Sequence, residues 1–301
     1  MKSKIYLYLS ISTFCVFIGR ATQHLVWDAP FRTLLWDEGL LKGFVENIMG
    51  YDWFNYVTSP TTDTWINGSI TAFGILYLLA ALSVFVLHKE GILKQIGLKL
   101  QIFGALGLMF LAFLYSKEKF MQLGQLLEYS AQFTAPLLLW YVITYKEERF
   151  PLIFAKVVIA LTFICHGLYA VGFYPVPGKF VDMTIATIGV TESTAKTLLL
   201  VAGIMDFIVA IGIFIPRIAK PMLIYMVVWG TLTSMARLTG HFHIEFLGNT
   251  LLQWLPAVIY RVPHALLPLI ILQYLKEYEG SQSLNLREKI PYLIRKVEIV
   301  K

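Results

Sequence analysis

Eight side chains that can carry charge or share protons sit inside, or at the ends of, otherwise apolar stretches of this sequence. They are Arg20, His24, Glu128, His166, Asp206, Arg237, Arg261 and His264. In a bilayer such placements are expensive, about 2.5–3.5 kcal/mol for a charge near the centre of a helix on insertion scales. Residues of this kind therefore face protein or water and seek partners. Asp206 lies midway along its apolar stretch. The other seven fall toward one end of theirs, as do the nearby Gln23, Gln125, Gln132 and Tyr169. Of the six histidines only His88 lies at the opposite ends. This one-sided polarity predicts a cavity open toward one face, lined by these eight residues. Histidine and arginine donors in an apolar slot suit the carbonyl ends of a quinone-like molecule or a lipid-like head.

Each residue also has a structural reading. Asp206 with Arg237 or Arg261 forms a helix-to-helix ion pair, Arg237 being favoured because its helix follows that of Asp206 through a tight turn. His166 packs and hydrogen-bonds within the bundle. Glu128 and Asp206 are the candidates for an acid–base pair. His241, His243 and Glu245 cluster in a loop, but no HExxH motif accompanies them, so no metal site is expected. There is no phosphate loop, no GxGxxG and no nucleophile motif.

The elements that position these residues follow from composition. The chain has 301 residues, 57% hydrophobic and 15% charged, against about 25% charged in a soluble domain. Mean hydropathy is +0.66. Too little charge is present to clothe a soluble surface. A membrane core needs about 20 apolar residues per helix, and such stretches occur at 5–26, 69–88, 97–115, 126–145, 153–173, 197–216, 220–238 and 256–275. The first is read as a retained span rather than a cleaved signal, because Arg20 stands where a small-residue cleavage site belongs. The lipid bilayer is thus the expected partner. The net charge of +6 does not indicate nucleic acid, since the basic residues sit at the ends of apolar segments. Cys15 and Cys165 lie within apolar runs and form no CxxC.

Sixteen of the 25 Lys and Arg residues fall on the side of the N-terminus and the tail, among them Lys89, Lys94, Lys146, Arg149 and Arg217. The positive-inside rule then places both termini in the cytoplasm. The polar end of the bundle faces outward. The segment from Trp27 to Gly68 is long and carries Trp36, Trp53 and Trp65. It reads as one or two interfacial helices on the outer face.

The expected fold is all-α: a polytopic membrane protein of about eight transmembrane helices, in two parallel four-helix repeats, plus outer interfacial helices. Residues 1–148 form the first half, with its outer loop at 27–68. Residues 149–279 form the second, and 280–301 a cytoplasmic tail that lies along the inner surface through Leu293, Ile294 and Val297. Phe17-Ile18-Gly19-Arg20-Ala21 matches Phe163-Ile164-Cys165-His166-Gly167, Gly74-Ile75-Leu76-Tyr77 matches Gly203-Ile204-Met205-Asp206, and Pro136 falls opposite Pro268. The order is the same in both halves. This is the pattern of a parallel repeat about an axis along the membrane normal.

The second half resembles the DoxX/DoxD-like family of four-helix membrane proteins. The resemblance rests on Phe163-Ile164-Cys165-His166-Gly167-Leu168 and on VAGIMDFIVAIGIFIPRIAKP, residues 201–221. Asp206 stands where the family more often has Glu. The first half would be a diverged copy, with Arg20 at the histidine position and Tyr77 at the acidic one. A more distant likeness of the first helix and its long outer loop to the HTTM and vitamin K carboxylase membrane domain carries no chemistry over. The DoxX resemblance implies residence in a bacterial inner membrane and, in some members, association with redox partner proteins. It does not imply one activity. The sequence names no cofactor; a quinone is the one its donors would suit. The reading it favours is a subunit or binding protein for a quinone-like or lipid-like ligand at the outer cavity. The alternatives are a membrane enzyme using the outer polar cluster for acid–base chemistry, and an ion-coupled transporter with Asp206 as its responsive group.

Overall fold

A computed structural model describes residues 4–145 and 150–277. Lys146, Arg149 and the tail lie outside the described residues. Fourteen helical segments matter here. They are α1 (Lys4–Val26), α2 (Arg32–Leu35), α3 (Glu38–Asn47), α4 (Trp53–Thr58), α5 (Pro60–Ser83), α6 (Ile92–Glu118) and α7 (Leu123–Glu128). They continue as α8 (Ser130–Tyr145), α9 (Leu152–Ala170), α10 (Gly178–Ile188), α11 (Glu192–Gly212), α12 (Ala219–Thr239), α13 (Leu247–Ile259) and α14 (263–277).

Among the described residues seven helical stretches are long and apolar enough to cross a membrane: α1, α5, α6, α9, α11, α12 and the run Ile244–Glu277 that holds α13 and α14. The eighth expected pass is α8. At 16 residues it spans about 24 Å, short of a ~30 Å hydrocarbon core. The short α7 helix precedes it, separated only by Tyr129. Pro136 inside α8 and Pro256 inside α13 are tolerated because neighbouring groups in a bundle can satisfy the freed backbone. The second pass begins at Pro60, nine residues before its expected start. Ser59 accepts a hydrogen bond from the Thr61 amide, and proline occupies the first helical turn. Both are helix-starting signals that a search for apolar residues passes over.

Helix faces are divided as a lipid-embedded bundle requires. On α11, Gly203, Asp206, Val209 and Ala210 are buried while Ile204, Ile208 and Ile211 are exposed. The exposed side is the apolar one, the reverse of a soluble helix. The main core joins Ile5 and Leu9 of α1, Leu138 and Leu139 of α8, Ile159 and Phe163 of α9, and Leu267 and Ile270 of α14. Glycines set the closest approaches. A methyl on Gly19 would stand 2.9 Å from the Pro256 carbonyl and the Tyr260 amide, and one on Gly230 would stand 2.6 Å from the His264 carbonyl.

Three short helices fill the long segment after α1, where one or two were expected. Asp37 and Asp52 cap α3 and α4 by accepting from the Leu40 and Asn55 amides. Arg32 ties this cap to α5, donating to Asp63 at 2.7 Å and to Asn67 at 2.7 Å, with Asp28 at 3.0 Å on its other side. Lys117, at the end of α6, donates to Asp37. The Lys117 ammonium holds the Asp37 carboxyl below its ordinary range.

Candidate functional site

The polar residues that the sequence singles out gather where the breaks before α8 and α14 meet α1 and α9. Each break exists for a local reason. The helical hydrogen-bond ladder is interrupted at Tyr129 before α8, and at Tyr260 through Val262 before α14, where Pro263 has no amide to donate. Each break carries a charged residue inward: Glu128 on one, Arg261 on the other.

Arg261 Nη2 donates to Glu128 Oε1 at 2.9 Å, and both side chains are about nine-tenths buried. His166 Nε2, on α9, stands 3.8 Å from the same carboxylate oxygen. Gln125 donates to Glu128 Oε2 at 3.2 Å. The His264 ring centre lies 5.5 Å from that of His166. His264 Nδ1 is 3.0 Å from the Arg261 carbonyl. A carbonyl only accepts, so Nδ1 carries the proton, and Nε2 of the neutral ring presents a lone pair. Arg237, near the end of α12, is within electrostatic reach of Arg261 and Glu128. Its Nη1 meets only Met183 Sδ, at 4.0 Å, a weak acceptor. Three buried atoms here have no hydrogen-bond partner: Nε of Arg237, Nε of Arg261 and Nε2 of His264. His166 and Arg237 are half-buried and form the rim of the cluster, with Glu128, Arg261 and His264 at its floor.

A second constellation adjoins the first through Tyr129 and Tyr260. Arg20 is completely buried. Its Nε and Nη2 donate to Gln132 Oε1 at 3.1 and 2.7 Å, and Nη1 donates to Gln23 Oε1 at 2.6 Å. The guanidinium carbon sits 3.7 Å from the centre of the Tyr260 ring and 5.0 Å from that of Tyr129. An arginine held by amide oxygens and aromatic faces has its charge spread over π systems rather than met by a carboxylate. His24 extends this constellation, its Nδ1 2.8 Å from the Arg20 carbonyl and its ring 5.1 Å from that of Tyr77.

Asp206 makes none of these contacts, and this corrects the expected pairing. It is buried, and its Oδ1 has no hydrogen-bond partner. Neither Arg237 nor Arg261 bridges to it. Arg261 is committed to Glu128 on the adjoining break, and Arg237 sits at the far end of α12, against Met183 of α10. The tight turn does bring α11 and α12 together. The two residues stand at different levels along them, however, and Arg237 is too far along α12 to return to the middle of α11. His241 is occupied by its ring, stacked 3.6 Å from that of Trp254, and by the Arg237 carbonyl at 2.9 Å from Nδ1.

Sequence reasoning missed the tyrosines. Tyr129 and Tyr260 sit beside Glu128 and Arg261 in apolar surroundings and read as ordinary packing. The available signal was their register: the offset that aligns Pro136 with Pro268 sets Glu128-Tyr129 against Tyr260-Arg261, and Gln132 against His264.

Fold and polar core together define a polytopic α-helical membrane protein. A family model described as the DoxX-like family matches residues 160–249, which run from α9 through the first residues of α13. That stretch contributes His166, Asp206 and Arg237. No curated protein and no solved structure matches the chain.

Proposed function

We propose that this protein is a membrane-embedded binding protein of DoxX type, built of two related halves. Its ligand, a quinone-like or lipid-like molecule, seats its polar end among Glu128, His166, Arg237, Arg261 and His264. The observation that carries this reading is the set of unpartnered buried atoms on Arg237, Arg261 and His264. Leaving such groups unmet costs about 1–3 kcal/mol each, more for charged ones. Three at one place call for an occupant with oxygens to receive the guanidinium protons.

The duplication gives this site a counterpart around Arg20. Gly74 of α5 approaches Leu25 and His24 of α1, and Gly203 of α11 approaches Val171 and Ala170 of α9; the offset that aligns Phe17 with Phe163 pairs these neighbours one for one. Arg20 meets Gln132 and Tyr260 as His166 meets His264 and Glu128. In the first half the long arginine reaches its partners itself. In the second the shorter histidine stands 3.8 Å from its carboxylate and leaves its neighbours' donors unmet. Arg237, Arg261 and His264, whose unmet atoms are on charged or imidazole groups, lie in the half that resembles the DoxX family.

The test is extraction of the purified protein and mass spectrometry of what comes off. Wild-type protein should yield a quinone or lipid in a fixed ratio to chain, and Arg237→Leu at the rim should lose it while remaining folded. A chain that yields only the bulk lipid mixture, unchanged by Arg237→Leu, contradicts the reading.

A further inference from the structure

We propose that the head group this site takes is anionic and bears a hydroxyl: an oxyanion held by Arg237 and Arg261, with an adjoining O–H donated to Nε2 of His264. This rests on the binding role proposed above and narrows its ligand to one chemistry.

Charge is the first argument. Arg261 is bonded to Glu128, and Arg237 feels the charge of both. Glu128 is the only carboxylate in that cluster, and it is already bonded to Arg261. Arg20, next door across Tyr260, is met by amides and rings rather than by a carboxylate. The constellation therefore holds three guanidinium groups and one carboxylate. A buried charge without a counter-charge is among the most costly features a protein can carry. Arg20 is relieved by the rings of Tyr115, Tyr129 and Tyr260 and by two amide oxygens. Arg237 has no such relief: its Nε is buried without a partner, and its Nη1 has only a thioether sulfur. A neutral carbonyl would accept hydrogen bonds from these groups but leave the charge excess in place. An oxyanion answers both needs.

The imidazole supplies the second argument. His264 is 3% exposed, and its Nδ1 proton is fixed on the Arg261 carbonyl. Its free Nε2 is therefore an acceptor. A bare anion placed there would set lone pair against lone pair. A hydroxyl beside the anion turns the same contact into a hydrogen bond. The floor of the site thus presents guanidinium donors and one acceptor, and the complementary group is a phosphate or carboxylate next to an alcohol. Two sources share that chemistry, a hydroxylated phospholipid head and a free hydroxylated phosphate.

The experiment uses the full chain in nanodiscs of defined lipid, read by thermal unfolding and by native mass spectrometry. Four conditions are compared: phosphatidylcholine alone; phosphatidylcholine with phosphatidylglycerol; phosphatidylcholine with phosphatidylmethanol, which keeps the charge and lacks the hydroxyl; and phosphatidylcholine with soluble glycerol 3-phosphate. Decyl-benzoquinone in phosphatidylcholine is the neutral probe. One phosphatidylglycerol should be retained per chain, with a midpoint several degrees above that in phosphatidylcholine and at least tenfold preference over phosphatidylmethanol. Arg237→Gln should abolish the preference. His264→Asn should reduce the gap between the two anionic lipids. The same protection by glycerol 3-phosphate would support the head-group chemistry and make the source soluble. Equal retention of phosphatidylmethanol and phosphatidylglycerol would overturn the hydroxyl assignment. Protection by decyl-benzoquinone alone would overturn this inference and leave the binding role standing; no protection by any probe would bring down both.

Discussion

Arg261 reaches across 133 residues of sequence to bond Glu128 at 2.9 Å, and each of the two stands beside a break between helices. The ion pair joins the two breaks, whose backbone amides turn back on nearby carbonyls. Arg261→Leu leaves Glu128 buried with its charge unmet and should lower stability by about 3–5 kcal/mol. The double variant Glu128→Gln with Arg261→Met should recover much of that loss. Unfolding in a mild detergent measures both. Additive losses in the double variant would show that the two residues do not act as a pair.

Asp206 behaves differently because it has no partner to lose. Replacing an unpartnered buried polar group by an apolar one of similar size is neutral or stabilising. Asp206→Leu should therefore unfold within about 1 kcal/mol of wild type, or above it, where a salt-bridged aspartate would lose about 3–5 kcal/mol. A loss of the larger size would mean that a cation meets Asp206 after all.

Gly230 lets α12 lie against the backbone of α14 at His264. Gly230→Val should push the helices apart at a cost of about 1–3 kcal/mol, and ligand retention should fall with it, since His264 moves. Gly248→Ala meets open space and serves as the control. Equal stability of the two variants would contradict the packing described.

The cap of short helices α2 to α4 carries a pH dependence with a defined sign. Asp37 is held below its ordinary range by Lys117. Its contribution is complete above the ordinary carboxylate value, about pH 4, and is lost as pH falls through the depressed folded value. Trp36 directly precedes Asp37. Emission of Trp36, taken as wild type minus Trp36→Phe, should therefore hold steady from neutrality to about pH 4 and change below it. A transition between pH 5 and 8 would assign the cap to other groups.

Orientation is open to direct labelling. Both termini should be cytoplasmic and Lys42 outside, on the strength of the basic-residue distribution. With Cys15 and Cys165 replaced, a single cysteine between residues 179 and 195 should react with an impermeant reagent on intact cells. One between 89 and 95 should not. The opposite pattern inverts the topology.

The passes were legible in the sequence because apolar length is a local property. So were Arg20, Glu128, His166, Arg261 and His264 as candidates, because charge inside an apolar run has few innocent explanations. Their pairing was not legible. Glu128 finds Arg261 only because two helix breaks far apart in the sequence face each other, and nothing local to either residue says so. Asp206 looked as though it needed an arginine, and Arg237 stood on the next helix, but depth along a helix decides contact as much as adjacency does. The tyrosines around Arg20 escaped notice because an aromatic residue in an apolar run reads as core until the cation above it is placed.

The central claim is that Arg237, Arg261 and His264 hold a ligand, and an experimental structure of protein taken from its native membrane tests it most directly. Density belonging to neither protein nor water should lie among the three, with an oxygen at about 3 Å, hydrogen-bond distance, from Nε of Arg261 and Nε2 of His264. Those atoms satisfied by water alone, or by rearranged side chains closing over an empty site, would contradict the account.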